Sequence, residues 1–286
     1  SSHGLFLYDS TMRIPFIIRP TTPLSSPIYD IQTEASVVDV LPTSLSLLNL
    51  PLPENIDGTD LSPLINGKTV ERSGVYLESY TVEKRFGFHP EIAWVEKGKK
   101  SIATPNGELF FLEADPLELT NKKSDNNELW KTLADKAHEI NAIKTGAQKS
   151  PISGDLHSKL AALGYIQNDL SEKRNAIDAK DKLLLIQEIE RIRHKFSSDA
   201  NSREVGYRKI LSKDPDIGEA LVGLGQSLSE QGKEQEAIEI YRKALDNNPT
   251  SSVITLSLGT SLASVGEYEE ALLLLKKQLQ AVPNDH

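Results

Sequence analysis

The last third of the chain repeats itself every 34 residues, and this limits how it can fold more than any other feature does. Leu224, Gly225 and Leu228 recur as Leu258, Gly259 and Leu262. Gly232, Ala237 and Pro249 recur as Gly266, Ala271 and Pro283, while Tyr207 and Pro215 stand one period before Tyr241 and Pro249. The residue types fit a pair of helices. Small side chains at Gly225, Gly259, Ala237 and Ala271 let two helices approach closely, and Leu224, Leu228 and Tyr241 fill the space beside them. Gly232 and Gly266 make the turn between helices, and the prolines end each unit. One such pair cannot bury its apolar face alone, so about three units must stack. Two full units, 218–251 and 252–285, are present, with a degenerate one at 184–217.

This period and residue set resemble the tetratricopeptide repeat. The resemblance implies a concave groove, lined by the first helix of each unit, that takes a peptide or a partner protein. Here that face would include Glu219, Val222, Gln226, Ser229, Val253, Leu256 and Thr260. It is mixed in character and carries no basic carboxylate clamp. A spacer or dimerisation surface stays open as the alternative.

The first half reads differently. Residues 13–19 are apolar and β-branched around Pro15, as suits a buried or edge strand, with His3-Gly4 in a loop upstream. A loop rich in Pro, Ser and Thr follows at 20–27. Thr33 or Ser36 could cap a helix over 37–48, with Pro42 kinking it or starting a second one, and Asn49 and Pro51 ending it. Asp39 reads as a surface or capping carboxylate. An antiparallel meander is predicted from 75–80, 91–96, 101–104 and 108–112. Lys97-Gly98 forms one turn, and Asn106-Gly107 reads as a type I′ hairpin. A helix over 127–144 would dock Leu129, Leu133, Ala137 and Ile140 on the meander. A polar linker at 145–154 leads to a short helix at 155–163, closed by Gly164. Residues 168–181 look like a solvated connector, and 182–196 a helix with Leu184, Ile186, Ile189 and Ile192 inward.

Several of these stretches resemble the sulfatase family of the alkaline-phosphatase superfamily. They are His3-Gly4, Phe6-Leu7-Tyr8-Asp9 and Arg13-Ile14-Pro15, then the valine-aspartate run ending in Pro42-Thr43. Asp57-Gly58-Thr59-Asp60-Leu61 with Leu64 and Gly67 follows, and the closing Glu108-Leu109-Phe110-Phe111 leads to Asp115-Pro116 and Asn121. The family usually has Tyr-Asp where Phe110-Phe111 stands. The resemblance implies a formylglycine nucleophile made from a Cys/Ser-x-Pro-x-Arg motif, a calcium ion on the sulfate, and Lys and His side chains on the oxyanions. The sequence contains no such motif, and no calcium ligand is assigned to it, so calcium is expected in the full-length parent. By resemblance, His3 alone takes a family active-site role, contacting the sulfate or leaving oxygen. His89, His138, His157 and His194 show no ligand spacing and read as surface residues.

The fold expected is α/β, an incomplete sulfatase-like sheet with a small antiparallel C-terminal subdomain, followed by an all-α tetratricopeptide solenoid. Its divisions are 1–144, a linker at 145–181, and repeats over 182–286. The net charge of −9 argues against a general nucleic-acid binder. There are no cysteines, which removes disulfides and thiolate zinc sites. No apolar run is long enough to span a bilayer. The chain opens on Ser1 rather than Met, which suggests a fragment with a missing front, and the family resemblance implies an extracytoplasmic or periplasmic setting. The function expected is that of a sulfate-ester hydrolase fragment with an interaction module. A phosphatase, phosphodiesterase or phosphonate hydrolase of the superfamily, or a non-catalytic scaffold, are the alternatives. Cys or Ser in the upstream motif would favour sulfate, and a lone Thr or Ser phosphate.

Overall fold

The computed structural model describes residues 4–19, 31–147, 177–249 and 251–281. The helices are α1 (Asp9–Met12), α2 (Val40–Leu47), α3 (Ser62–Ile65), α4 (Thr81–Phe86) and α5 (Asn127–Ala147), then α6 (Leu183–Lys195), α7 (Ala200–Leu211), α8 (Gly218–Glu230), α9 (Glu234–Asn247), α10 (Ser252–Ser264) and α11 (Tyr268–Ala281). The strands are β1 (Val75–Ser79), β2 (Glu91–Glu96), β3 (Lys99–Ile102) and β4 (Glu108–Phe111). Two compact units result. Ser1–Ser79 and Glu91–Ile143 make the first, and Tyr80–Pro90 and Lys144–His286 the second. Residues 80–90, which the sequence groups with the strands around them, thus count with the helical unit.

In the first unit the strands form an antiparallel meander in the order β1-β2-β3-β4, with Val75 opposite Val95 and Glu96 opposite Lys99. Lys97 and Gly98 both have positive φ, 50° and 69°, which makes the type I′ turn there. Asn106-Gly107 does not form the second. Only Gly107 is left-handed, in a longer connection over 103–107. A Cβ on Gly107 would lie 2.5 Å from the Trp130 ring, and Lys123 Nζ donates to Asn106 O at 2.6 Å, so the loop wraps an indole instead of closing tightly.

Alternation along the strands gives the sheet two apolar faces. Ile92, Trp94, Ala103 and Leu109 meet Leu133, Ala134 and Ala137 of α5. On the opposite face Ala93, Ile102 and Phe110 cluster with Leu7, flanked by Tyr8, Met12 and Leu77. The expected strand at 13–19 is not formed. These residues carry no regular secondary structure and no ladder to any described strand, and Ile17 is 84% exposed. Four residues before them instead wind into α1, which closes on Asp9 O through Arg13 N.

A 3-10 turn, Val37–Asp39, leads into α2. Pro42 falls in the first turn of α2, where its missing N–H is not needed, so the helix starts near it and does not kink. Asp39 is buried, which corrects the surface reading. It accepts from Ser36 N at 2.6 Å, Thr59 N at 2.8 Å and Arg72 NH1 at 2.6 Å. Gly58 makes this possible, since a Cβ there would sit 2.0 Å from Val38 O.

In the second unit α6–α7, α8–α9 and α10–α11 are the three helix pairs. Gly232 and Gly266 turn between helices at φ 74° and 86°. Ile186, Ile189 and Ile192 are buried, but Leu184 is 82% exposed. At about 100° per residue Leu184 points roughly 140° away from Ile189, so it cannot share the inward stripe. The end of the presumed solvated connector is also buried: Asp178 caps the turn before α6 by accepting from Lys180 N at 2.9 Å, and Ala179 packs inward. The helix expected at 155–163, Gly164 and most of the linker lie outside the described residues. The α4 segment packs with the repeats. Phe86 and Phe88 are buried and stacked at 5.9 Å, and His89 N donates to Ile177 O at 3.0 Å.

Candidate functional site

His3 lies outside the described residues. The backbone that follows it is fixed by a network of buried charges. Leu5, Phe6 and Leu7 are buried. Leu7 N donates to Glu91 Oε2 at 2.9 Å, and Leu7 O accepts from Lys100 Nζ at 3.1 Å. Lys100 is fully buried. It pairs with Asp9 and, at 2.7 Å, with Glu118, whose other oxygen accepts from Asp9 N at 2.5 Å. Ser79 Oγ donates to Gly4 O at 2.7 Å, and Thr11 Oγ1 to Phe6 O at 2.7 Å. Tyr8 OH reaches Glu108 at 3.1 Å. Residues 4–12 are thereby stapled to the sheet at both backbone and side-chain level. Removing one partner of such a buried group is costly, and these contacts hold residues 4–12 against the sheet.

Sequence reasoning missed Glu91, Lys100 and Glu118. Lys100 stands in a strand between residues that read as solvated, and Glu118 carries an unusual φ of 54° that no sequence pattern announces. His89 is half-buried, with Nδ1 2.5 Å from Pro90 O, whereas His138 and His194 are exposed. His157 lies outside the described residues. Among the described residues no three His, Cys, Asp or Glu side chains are gathered as a metal site requires. No described helix is long and apolar enough to cross a membrane.

The groove residues divide. Glu219 accepts from Arg85 NH2 at 2.7 Å and Arg193 NH1 at 3.2 Å, so the chain itself already holds it. Arg85 also binds Glu190 at 2.6 Å. These carboxylates overcome the opposing effect of burial and raise the guanidinium's pKa. Val222 packs beside the core of Leu221, Ala244 and Ile254, and Ser229 Oγ donates to Glu234 at 2.8 Å. Gln226, Val253, Leu256 and Thr260 are exposed. The structure therefore brings Glu219 into an internal ion pair and leaves a shorter strip of mixed, uncharged character open.

Comparison with known proteins agrees with both halves. The tetratricopeptide repeat family model matches residues 228–286. Arylsulfatase K of Xenopus laevis is 30% identical over 131 residues, which are 42% of this chain and 24% of that protein. Choline-sulfatase of Rhizobium meliloti (strain 1021) is 36% identical over 119 residues, 40% of this chain and 22% of that one. The chain thus spans about a quarter of the length of these curated relatives. Among solved structures, an O-GlcNAc transferase mutant of Thermobaculum terrenum matches 38% of this chain and 21% of its own, at 24% identity and TM-score 0.35. A MamA mutant matches 50% and 90%, at 20% identity and TM-score 0.32. The chain is a sulfatase-like part joined to tetratricopeptide repeats.

Proposed function

We propose that the whole protein hydrolyses sulfate esters, and that this chain supplies the sulfatase-like part following the nucleophile together with a repeat module for a peptide or protein partner. The observation that carries the reading is the 30% and 36% identity to two sulfatases. In this reading residues 4–12 hold the loop after His3 rigid, so that His3 can meet the sulfate or leaving oxygen. Calcium, when bound in the whole enzyme, would draw charge from the sulfate. The described residues gather no donor set for it, and no step is assigned to it in this chain. The open strip at Gln226, Val253, Leu256 and Thr260 is the docking face, with Glu219 reserved to Arg85.

The test is turnover of p-nitrophenyl sulfate, with and without calcium. The 286-residue chain is expected to be inactive, and a form extended upstream to a Cys/Ser-x-Pro-x-Arg motif active. His3→Ala in that form should lower kcat by about a hundredfold or more, as loss of a positioned acid or oxyanion contact does. Calcium-dependent turnover by the 286-residue chain alone would overturn the assignment. Preference of the extended form for p-nitrophenyl phosphate would move it to the phosphate branch of the superfamily.

A further inference from the structure

The repeats already hold a segment that is not part of any repeat. Residues 80–90 connect β1 to β2 in sequence, yet they count with the helical unit. Helix α4 packs on α8. Gly218 lets it come close, since a Cβ there would lie 3.3 Å from Arg85 O. Val82, Phe86 and Phe88 are fully buried. The Arg85 guanidinium lies 4.9 Å from the Phe86 ring centroid and binds Glu190 of α6 at 2.6 Å and Glu219 of α8 at 2.7 Å. A short helix with its apolar side chains buried and one charge fixing its register is a common form of peptide recognition.

The acidic seat is particular to this place. One period on, Val253 stands where Glu219 does, and it cannot hold a guanidinium. The seat is also open to water. The side chains of Arg85, Glu190 and Glu219 are 25%, 21% and 23% exposed, against 1% for Lys100 in the buried network of the first unit. Solvent therefore weakens the Arg85 pairs far more than it does those of Lys100. With Arg85 withdrawn, Glu190 and Glu219 would share Arg193, and Glu190 would keep His194 at 3.4 Å. While that histidine is neutral, two carboxylates then face one cation, and one negative charge is left for a ligand.

We propose that residues 80–90 are a displaceable occupant of this seat, and that the repeats take from a partner protein a short helical segment of the same chemistry, an arginine followed by aromatic residues. This rests on the reading of the repeats as a docking module and adds a self-occupied seat to its open strip. The chain's own segment is tied at both ends, so it competes as an intramolecular ligand at an effective concentration on the order of millimolar. A free peptide at lower concentration finds the seat closed.

The probe is a fluorescein-labelled synthetic peptide of residues 80–90, titrated with the 286-residue chain and followed by fluorescence anisotropy. Circular dichroism at 222 nm reports whether each variant folds. Two variants open the seat independently: Arg85→Glu, which sets a third carboxylate against Glu190 and Glu219, and Phe86→Ser. Each should bind the peptide about tenfold or more tighter than the wild type does. Adding Glu219→Lys to Phe86→Ser should abolish that binding and admit instead a peptide carrying Arg85→Glu. Adding Glu219→Lys to Arg85→Glu should close the seat again, because the pair re-forms with its charges reversed. Leu256→Glu in either opened chain should leave peptide binding unchanged. A wild type that binds as tightly as the opened chains overturns the proposal, as does a folded opened chain that does not bind. Loss of the helical signal in both opening variants overturns it too, since the segment is then a structural member of the repeats. Binding that Leu256→Glu abolishes and Glu219→Lys leaves intact overturns it while upholding the open strip as the docking face.

Discussion

The two units solve the same burial problem over different lengths of chain. In the repeat unit Leu224, Leu228, Ile238, Tyr241, Ile254 and Leu258 are all buried, and most of what packs on their helices comes from the same or an adjacent 34-residue unit. In the first unit the fixing contacts reach much further. Lys100 binds Asp9 across 91 residues, and Asp9 N binds Glu118 across 109. There too, Val37, Leu41, Leu48, Ile14 and Ile17 stay exposed. A repeat brings its own covering surface with it. An α/β part depends on surfaces far away in sequence, and its apolar stripes mark where such a surface is required.

Removing a long-range contact should therefore do the most damage. Lys100→Met leaves Glu118 and Asp9 facing each other with no cation between them. Breaking a buried pair from one side costs about 3–5 kcal/mol. Both tryptophans, Trp94 and Trp130, lie in the first unit, so their fluorescence follows its unfolding. The expected result is a large drop in the urea midpoint by fluorescence, with the helical circular dichroism transition of the repeats shifted far less. Adding Glu118→Gln to Lys100→Met should recover part of the loss, as it removes one of the two stranded carboxylates. An unchanged fluorescence midpoint would show that the staple of residues 4–12 does not depend on Lys100.

Within the repeats a local contact can be probed at two equivalent glycines. A Cβ on Gly225 would sit 2.6 Å from the Tyr241 ring, which is itself buried, with its hydroxyl pushed up to about 12 by that burial. A Cβ on Gly259 would first meet the branched end of Leu275, at 3.0 Å. Gly225→Ala should cost about 1–3 kcal/mol by overpacking. Gly259→Ala should be neutral or stabilising, since Leu275 can shift and alanine gains up to about 1 kcal/mol of helix propensity. Thermal melts followed at 222 nm separate the two, and equal losses at both sites would mean that helix packing, not the ring, sets the tolerance.

The same contrast decides what the sequence could reveal. The 34-residue register exposed the helix pairs, their glycine turns and the close approach at Gly225, because all of these are local. Strand alternation located β1, and helical spacing the α5 face, for the same reason. The Lys100–Asp9–Glu118 network was hidden, since nothing near Lys100 in sequence distinguishes it from the solvated lysines beside it. The misread strand at 13–19 shows the converse: apolar β-branched residues state a propensity, but a strand exists only where a neighbour supplies its ladder. Of the groove, the open part around Val253 and Leu256 follows from the repeat pattern. The capture of Glu219 by Arg85 does not, because Arg85 stands outside the repeats in a segment that reads as a strand connection.

The smallest expected effect concerns a surface network in the repeats, at Glu204 of α7. Its carboxylate accepts from Lys233 Nζ at 2.7 Å, Arg208 Nε at 2.8 Å and Gln231 Nε2 at 2.9 Å. These donors, Lys233 first, bring its pKa down from 4.5 to about 2. A carboxyl with a depressed folded pKa binds its proton more readily in the unfolded chain. Its stabilising contribution is therefore complete above about pH 4.5 and is lost as pH falls through about 2. Lys233 and Arg208 are well exposed, so solvent screening holds the gain to about 1 kcal/mol rather than the full value of the shift. Glu204→Gln should lower the repeat melting temperature slightly at pH 7, and its curve should converge on the wild type as the pH approaches 2. High salt should shrink the difference at pH 7, while leaving the much larger loss from Lys100→Met nearly unchanged because that pair is buried. A Glu204→Gln deficit that persists at pH 2 would assign the effect to hydrogen-bond geometry rather than to charge.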